Sequence, residues 1–117
     1  MFQPTIKRRG PEHIIQTAII SFLSVRDWTV MVTHGNMYQQ GFPDLYALHH
    51  NYGAKWIEVK NPKAFSFTNA QRKYFPIISA AGEGIWILTA ATETEYQKLF
   101  KKPNWFTFLY RPLDTRG

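Results

Sequence analysis

The sequence predicts an α/β protein in which helices flank a mixed β-sheet, in the order helix, three strands, helix, strand. Three observations lead there. Apolar residues recur at helical spacing in two segments, from Pro11 to Val25 and from Thr68 to Ala81. Four short runs of β-forming residues lie between and after them. Each run is bounded by Gly, Pro or Asn, the residues that turn a chain.

The elements follow in order. Residues 1–9 form a basic arm ending in Lys7, Arg8 and Arg9. Pro11 suits a first helical position, and Ile14, Ile15, Ala18, Ile19, Phe22 and Leu23 mark one helical face to about Val25. Trp28 to Thr33 (WTVMVT) is a strand, followed by the polar loop HGNMYQQGFP. Asp44 to His49 and Lys55 to Lys60 flank a turn with Asn51 and Gly53 and predict a hairpin that Pro62 ends. Thr68 is an N-cap for the second helix and Gly82 its left-handed C-terminal residue; Pro76 is expected to kink or shorten it. Ile85 to Thr89 is a strand covered on both faces, and Thr92 with Glu95 has capping-box spacing for a short helix to about Lys101. Trp105 to Tyr110 is expected to add an edge strand, and residues 111–117 to form a loose tail.

At 117 residues and 44% hydrophobic composition the chain is sized for one domain with its own core. The absence of cysteine excludes disulfides, thiolate zinc sites and a cysteine nucleophile, and fits a reducing cytoplasm. The start MFQPTIKRRGPEH has no apolar stretch of signal-peptide type, and no run approaches the ~20 residues of a membrane span, so no membrane partner is expected. A net charge of +6 suits a polyanion, with nucleic acid the leading partner.

Chemistry concentrates in the hairpin. Strand side chains alternate, so Glu58 and Lys60 share one side while Val59 points to the other, toward the core. Asp44 opens the preceding strand and comes near Glu58 when the two strands pair. Two adjoining carboxylates repel, and a hard divalent cation such as Mg²⁺ relieves that repulsion. A metal there would polarise a phosphate and activate a water, and Lys60 would orient that water or neutralise the phosphorane: phosphodiester hydrolysis.

Pro43-Asp44 followed by Glu58-Val59-Lys60 has the pattern of the PD-(D/E)xK nuclease superfamily, whose restriction-endonuclease-like core has the same element order. More narrowly, GFPDLYAL, WIEVKNP, Gln71 and Ala80-Ala81-Gly82 resemble the VRR-NUC family of virus-type replication-repair nucleases, over about Glu12 to Leu88. The resemblance implies that Asp44, Glu58 and the Val59 carbonyl hold Mg²⁺, with Mn²⁺ a substitute, and that Lys60 is the catalytic lysine. It implies that Glu12 on the first helix and Gln71 on the second support metal, water or phosphate. Short members of the family resemble homodimeric Holliday-junction resolvases, so the expected partners are branched DNA and a second copy. Restriction-like, flap or RNA-directed specificity stays open, as does a non-catalytic binding module on the same fold.

Simpler readings stand beside these. Glu12 suits the positive end of a helix, and Gln71 an exposed first turn. Lys63, Arg72 and Lys73, with the arm's Lys7, Arg8 and Arg9, are candidate phosphate contacts or a generic basic surface. His13, His49 and His50 read as surface residues, while His34 lies in the loop leading to Asp44 and is a candidate substrate contact. Among the aromatics, Trp28, Trp86 and Trp105 are core, and Phe65 and Phe67 are candidates for stacking on bases.

Overall fold

The computed structural model describes residues 10–33 and 40–110. The arm with Lys7, Arg8 and Arg9, the loop residue His34 and the tail from residue 111 lie outside these.

Helix α1 runs Pro11–Ser24 behind Gly10, with Pro11 at its first position. Strands β1 (Thr29–Val32), β2 (Leu45–His49) and β3 (Gly53–Val59) follow, then helix α2 (Asn69–Ala80) and strand β4 (Ile85–Leu88). The four strands lie in the order β1-β2-β3-β4: β1, β2 and β3 pair antiparallel, and β3 pairs with β4 in parallel. The crossover needed for that parallel pair is α2. The predicted α/β class, mixed sheet and element order are therefore present. No helix among the described residues is long and apolar enough to cross a membrane.

Both sheet faces are covered. On one, Ile19 and Leu23 of α1 pack with Leu45, Ala47, Ile57, Val59, Trp86 and Leu88. On the other, Phe75 and Ile78 of α2 pack with Ile85, Ile87, Phe67 and Trp105. Val59 thus points to the α1 side and Glu58 to the α2 side, which is a second core layer.

Helix α2 begins with a complete capping box: the Thr68 hydroxyl accepts from Gln71 N at 3.0 Å while Gln71 Oε1 accepts from Thr68 N at 3.0 Å. Pro76 does not shorten α2, which continues to Ala80. Proline there removes one intrahelical donor, and burial of Phe75 and Ile78 on either side opposes that loss. The helix ends in a Schellman turn, with Gly82 at φ +94° and Glu83 N donating to Ile78 O at 3.3 Å.

The expected strand at Trp105–Tyr110 is not formed. Helix α3 (Glu93–Gln97) and a 3₁₀ turn (Lys98–Phe100) lead instead to a short helix, α4 (Trp105–Leu109). The strand's place beside β4 is taken by one side chain. Asn104 Oδ1 accepts from Ile87 N at 2.6 Å and its Nδ2 donates to Ile87 O at 3.1 Å, so a side-chain amide imitates a ladder partner. Trp86 Nε1 donates to Lys101 O at 3.0 Å and fixes the same segment. The edge is closed without a strand, leaving Trp105 and Leu109 to cover the α2-side core from a helix. Asn104→Ala leaves two backbone groups of β4 unpaired and is expected to cost about 2 kcal/mol; urea unfolding at the wild-type midpoint would show that the amide pair carries no weight.

The capping box at Thr92 is half made. Thr92 Oγ1 accepts from Glu95 N at 3.2 Å, but the Glu95 carboxylate turns back to Thr89 N at 2.9 Å and pairs with Lys98 at 2.6 Å.

Candidate active site

The site lies where β2 begins and β3 ends. The β2–β3 register pairs Leu45 with Ile57, which sets Asp44 opposite Glu58 and Pro43 opposite Val59. A regular ladder would have Pro43 N–H donate to Val59 O, and proline has no N–H. Pro43 O is directed elsewhere, accepting from the buried Thr33 hydroxyl, while Thr33 N donates to Asp44 O at 2.9 Å. Proline ends the backbone ladder one rung before the strands separate.

Side chains continue it. Val59 N donates to Asp44 Oδ2 at 2.9 Å, and Asp44 N donates to Glu58 Oε1 at 3.1 Å. Residue 59 therefore turns its N–H toward β2, and in an extended strand its carbonyl points the same way. Lys60 N donates to Leu88 O at 3.1 Å on the β4 side, as this alternation requires. The Val59 carbonyl is thereby aimed at the Asp44 side, opposite a residue that offers no donor.

The loop before Asp44 is pinned by a close approach. Gly41 sits at φ +87°, and a Cβ there would fall 2.6 Å from Ala70 O of α2. Glycine lets this backbone lie against the helix that carries Gln71.

Glu58 is 2% exposed and Lys60 5%. Lys60 Nζ lies 3.1 Å from Glu58 Oε2, and Gln71 Nε2 donates to that same oxygen at 2.9 Å. Lys60 Nζ also donates to Ser66 O at 2.7 Å and to Gln71 Oε1 at 3.4 Å. Burial pushes the Glu58 carboxyl up to about 8, and the Asp44 charge adds to that push against the opposing pull of Lys60 and Gln71.

Asp44, Glu58, Val59, Lys60 and Gln71 are thus brought together. Gln71 is buried, so the reading of an exposed first-turn residue does not hold. Glu12 reaches the same end of β3, where its Oε2 accepts from Asn61 N at 3.2 Å. It does not form a third carboxylate beside Asp44 and Glu58; among the described residues no three His, Cys, Asp or Glu groups are placed to hold a metal.

The remaining candidates divide. Lys63 and Lys73 are exposed, Lys63 in the turn after the site. Arg72 donates to Leu109 O at 3.3 Å and so ties α2 to α4. His13 and His50 are exposed, and half-buried His49 packs against the rings of Trp28 and Tyr52, which also touch each other. Trp28, Trp86 and Trp105 are buried as expected. Phe67 differs from the stacking expectation: it is 8% exposed and belongs to the core under α2. Phe65 is half-buried against Phe67 and Phe108. Sequence reasoning passed over Ser66, whose carbonyl holds Lys60; a backbone acceptor leaves no trace in residue type.

No family model, no curated protein and no solved structure matches the chain.

Proposed function

We propose that the chain is a metal-dependent endodeoxyribonuclease with a PD-(D/E)xK core, similar to the stand-alone VRR-NUC nucleases. The observation that carries this reading is the junction of β2 and β3, where Asp44 and Glu58 meet through the Val59 and Asp44 amides, with Lys60 and Gln71 bound to Glu58.

The donor set fits Mg²⁺ or Mn²⁺. Such ions are held by one or two carboxylates and keep several waters, so a third acidic residue is not required. A buried carboxyl that resists ionisation beside a second carboxylate is also a group whose charged form a cation would favour. Asp44, Glu58 and the Val59 carbonyl would be the ligands, with Glu12 reaching the site through Asn61. When bound, the ion would supply Lewis-acid polarisation of a phosphate and a water of lowered pKa.

The chain's own residues do the rest. Lys60 places a positive charge beside Glu58, where negative charge develops on a phosphate under attack. Gln71 fixes the Glu58 oxygen and the lysine together. Phosphates are drawn by the +6 charge, with Lys63 and Lys73 exposed and the Lys7, Arg8 and Arg9 arm preceding α1. Branched DNA is the proposed substrate and a homodimer the proposed state, since two symmetric cuts need two sites in fixed relation.

Duplex, flap, four-way-junction and single-stranded DNA, together with RNA, would be incubated with the chain with and without Mg²⁺. The proposal expects Mg²⁺-dependent cleavage, strongest on the branched DNA; cleavage that survives chelator, or none on any DNA, overturns it.

A second reading uses the same contacts differently: the two carboxylates staple a ladder that proline interrupts. Absence of any Mn²⁺ binding favours this second reading, and Pro43→Ala tests the Val59 carbonyl within the first. It restores a donor opposite Val59, so a metal site is expected to bind Mn²⁺ about tenfold more weakly, consistent with a loss of roughly 1.4 kcal/mol on engaging that carbonyl. Unchanged Mn²⁺ affinity by calorimetry would leave Val59 outside the ligand set.

A further inference from the structure

The Lys60 ammonium has three protons and meets three acceptors, Glu58 Oε2, Ser66 O and Gln71 Oε1. A fourth contact is of another kind. Nζ lies 4.4 Å from the centroid of the Phe67 ring. A cation over an aromatic face is attracted by the ring's quadrupole, more strongly where water is excluded, and both residues here are buried.

The ring's orientation is fixed from outside. Phe65 and Phe75 each lie 6.0 Å from Phe67, at 81° and 80°, so two nearly perpendicular neighbours hold its plane. The other contacts are shared. Glu58 Oε2 also takes Gln71 Nε2, and Gln71 Oε1 also takes Thr68 N. The Ser66 carbonyl and the Phe67 ring come from two consecutive residues of one segment and do not depend on Glu58.

We infer that Phe67 is the positioning residue for Lys60: its ring face and the Ser66 carbonyl hold the ammonium at the Asp44–Glu58 junction, so the lysine stays placed when Glu58 engages a different cation. The inference rests on the nuclease reading for its consequence in catalysis. It accounts for an otherwise apolar core side chain turning its face to the one buried ammonium of the site.

The test replaces Phe67, in the full chain, with mono-, tri- and pentafluorophenylalanine, which keep the ring's shape while weakening its negative face in steps. Cleavage kcat is expected to fall progressively, about tenfold across the series, with KM and the melting temperature little changed. Phe67→Tyr should retain activity, and Phe67→Leu, which keeps apolar bulk without a π-face, should match the pentafluoro protein. A kcat that ignores fluorination overturns the inference. An activity-independent readout accompanies it: the Lys60 side-chain protons next to Nζ should show a ring-current upfield shift in the NMR spectrum that Phe67→Leu removes. Absence of that shift in the wild type equally overturns the placement. A wild type that cleaves no DNA would refute the nuclease reading alone, and the ring-current shift would still decide whether Phe67 holds Lys60.

Discussion

Glu58→Gln is expected to abolish cleavage, by at least about 10³-fold, while leaving the protein folded. Glu58 is nearly sealed from solvent, and burial with the neighbouring Asp44 charge opposes its ionisation. A glutamine keeps the shape and an oxygen for Asp44 N–H, and has no charge to bury. Its amide nitrogen then faces Gln71 Nε2 and Lys60 Nζ, two donors that lose their shared acceptor, which offsets that gain by about 1–3 kcal/mol. Lys60 keeps Ser66 O and Gln71 Oε1, so its ammonium is not abandoned. Asp44→Asn is expected to act alike on cleavage, since an amide oxygen can still accept from Val59 N. Gel-based cleavage and thermal unfolding on the same preparations check both halves. Wild-type rates in either variant would remove the carboxylates from the chemistry and favour the staple reading. Failure of Glu58→Gln to fold would show that the acceptor at Oε2 is needed by the fold itself.

The hairpin and its charged trio are legible in the sequence because strand alternation and a short turn are local rules. Asp44, Glu58 and Lys60 need only a period of two and one antiparallel pairing to be brought together. Gln71 is legible in position but not in burial: its spacing from Thr68 marks a helix start, while its bond to Glu58 depends on how α2 crosses the sheet. Phe67 shows the opposite error. An aromatic in a loop beside a basic site suggests base stacking, yet the ring is drawn into the core by Phe75 and into contact with Lys60. The edge of β4 is hidden for a similar reason. Trp105–Tyr110 has strand-like composition, and nothing local reveals that Asn104 already occupies the ladder at Ile87.

Protein stability in chelator is expected to fall as pH rises from about 5 to 8, and added Mg²⁺ to restore it most at the upper end. The sign follows from Glu58. Its carboxyl titrates near 4.5 when unperturbed and at about 8 in the fold, so between those values the folded chain holds a proton the unfolded chain has released. Stability from this group is complete below the lower value and is lost as pH climbs through the upper one, at up to about 1.4 kcal/mol per pH unit. A cation on Asp44 and Glu58 would bind the ionised form, so its affinity would rise with pH and its binding would release up to one proton from Glu58. Melting curves from pH 5 to 8, with chelator or with excess Mg²⁺, should therefore diverge as pH increases. Glu58→Gln should flatten the chelator curve and erase the divergence. Parallel curves with and without Mg²⁺ would mean that no cation binds at Glu58. A chelator curve in the wild type as flat as that of the variant would mean that Glu58 ionises in the fold without the cost its burial implies.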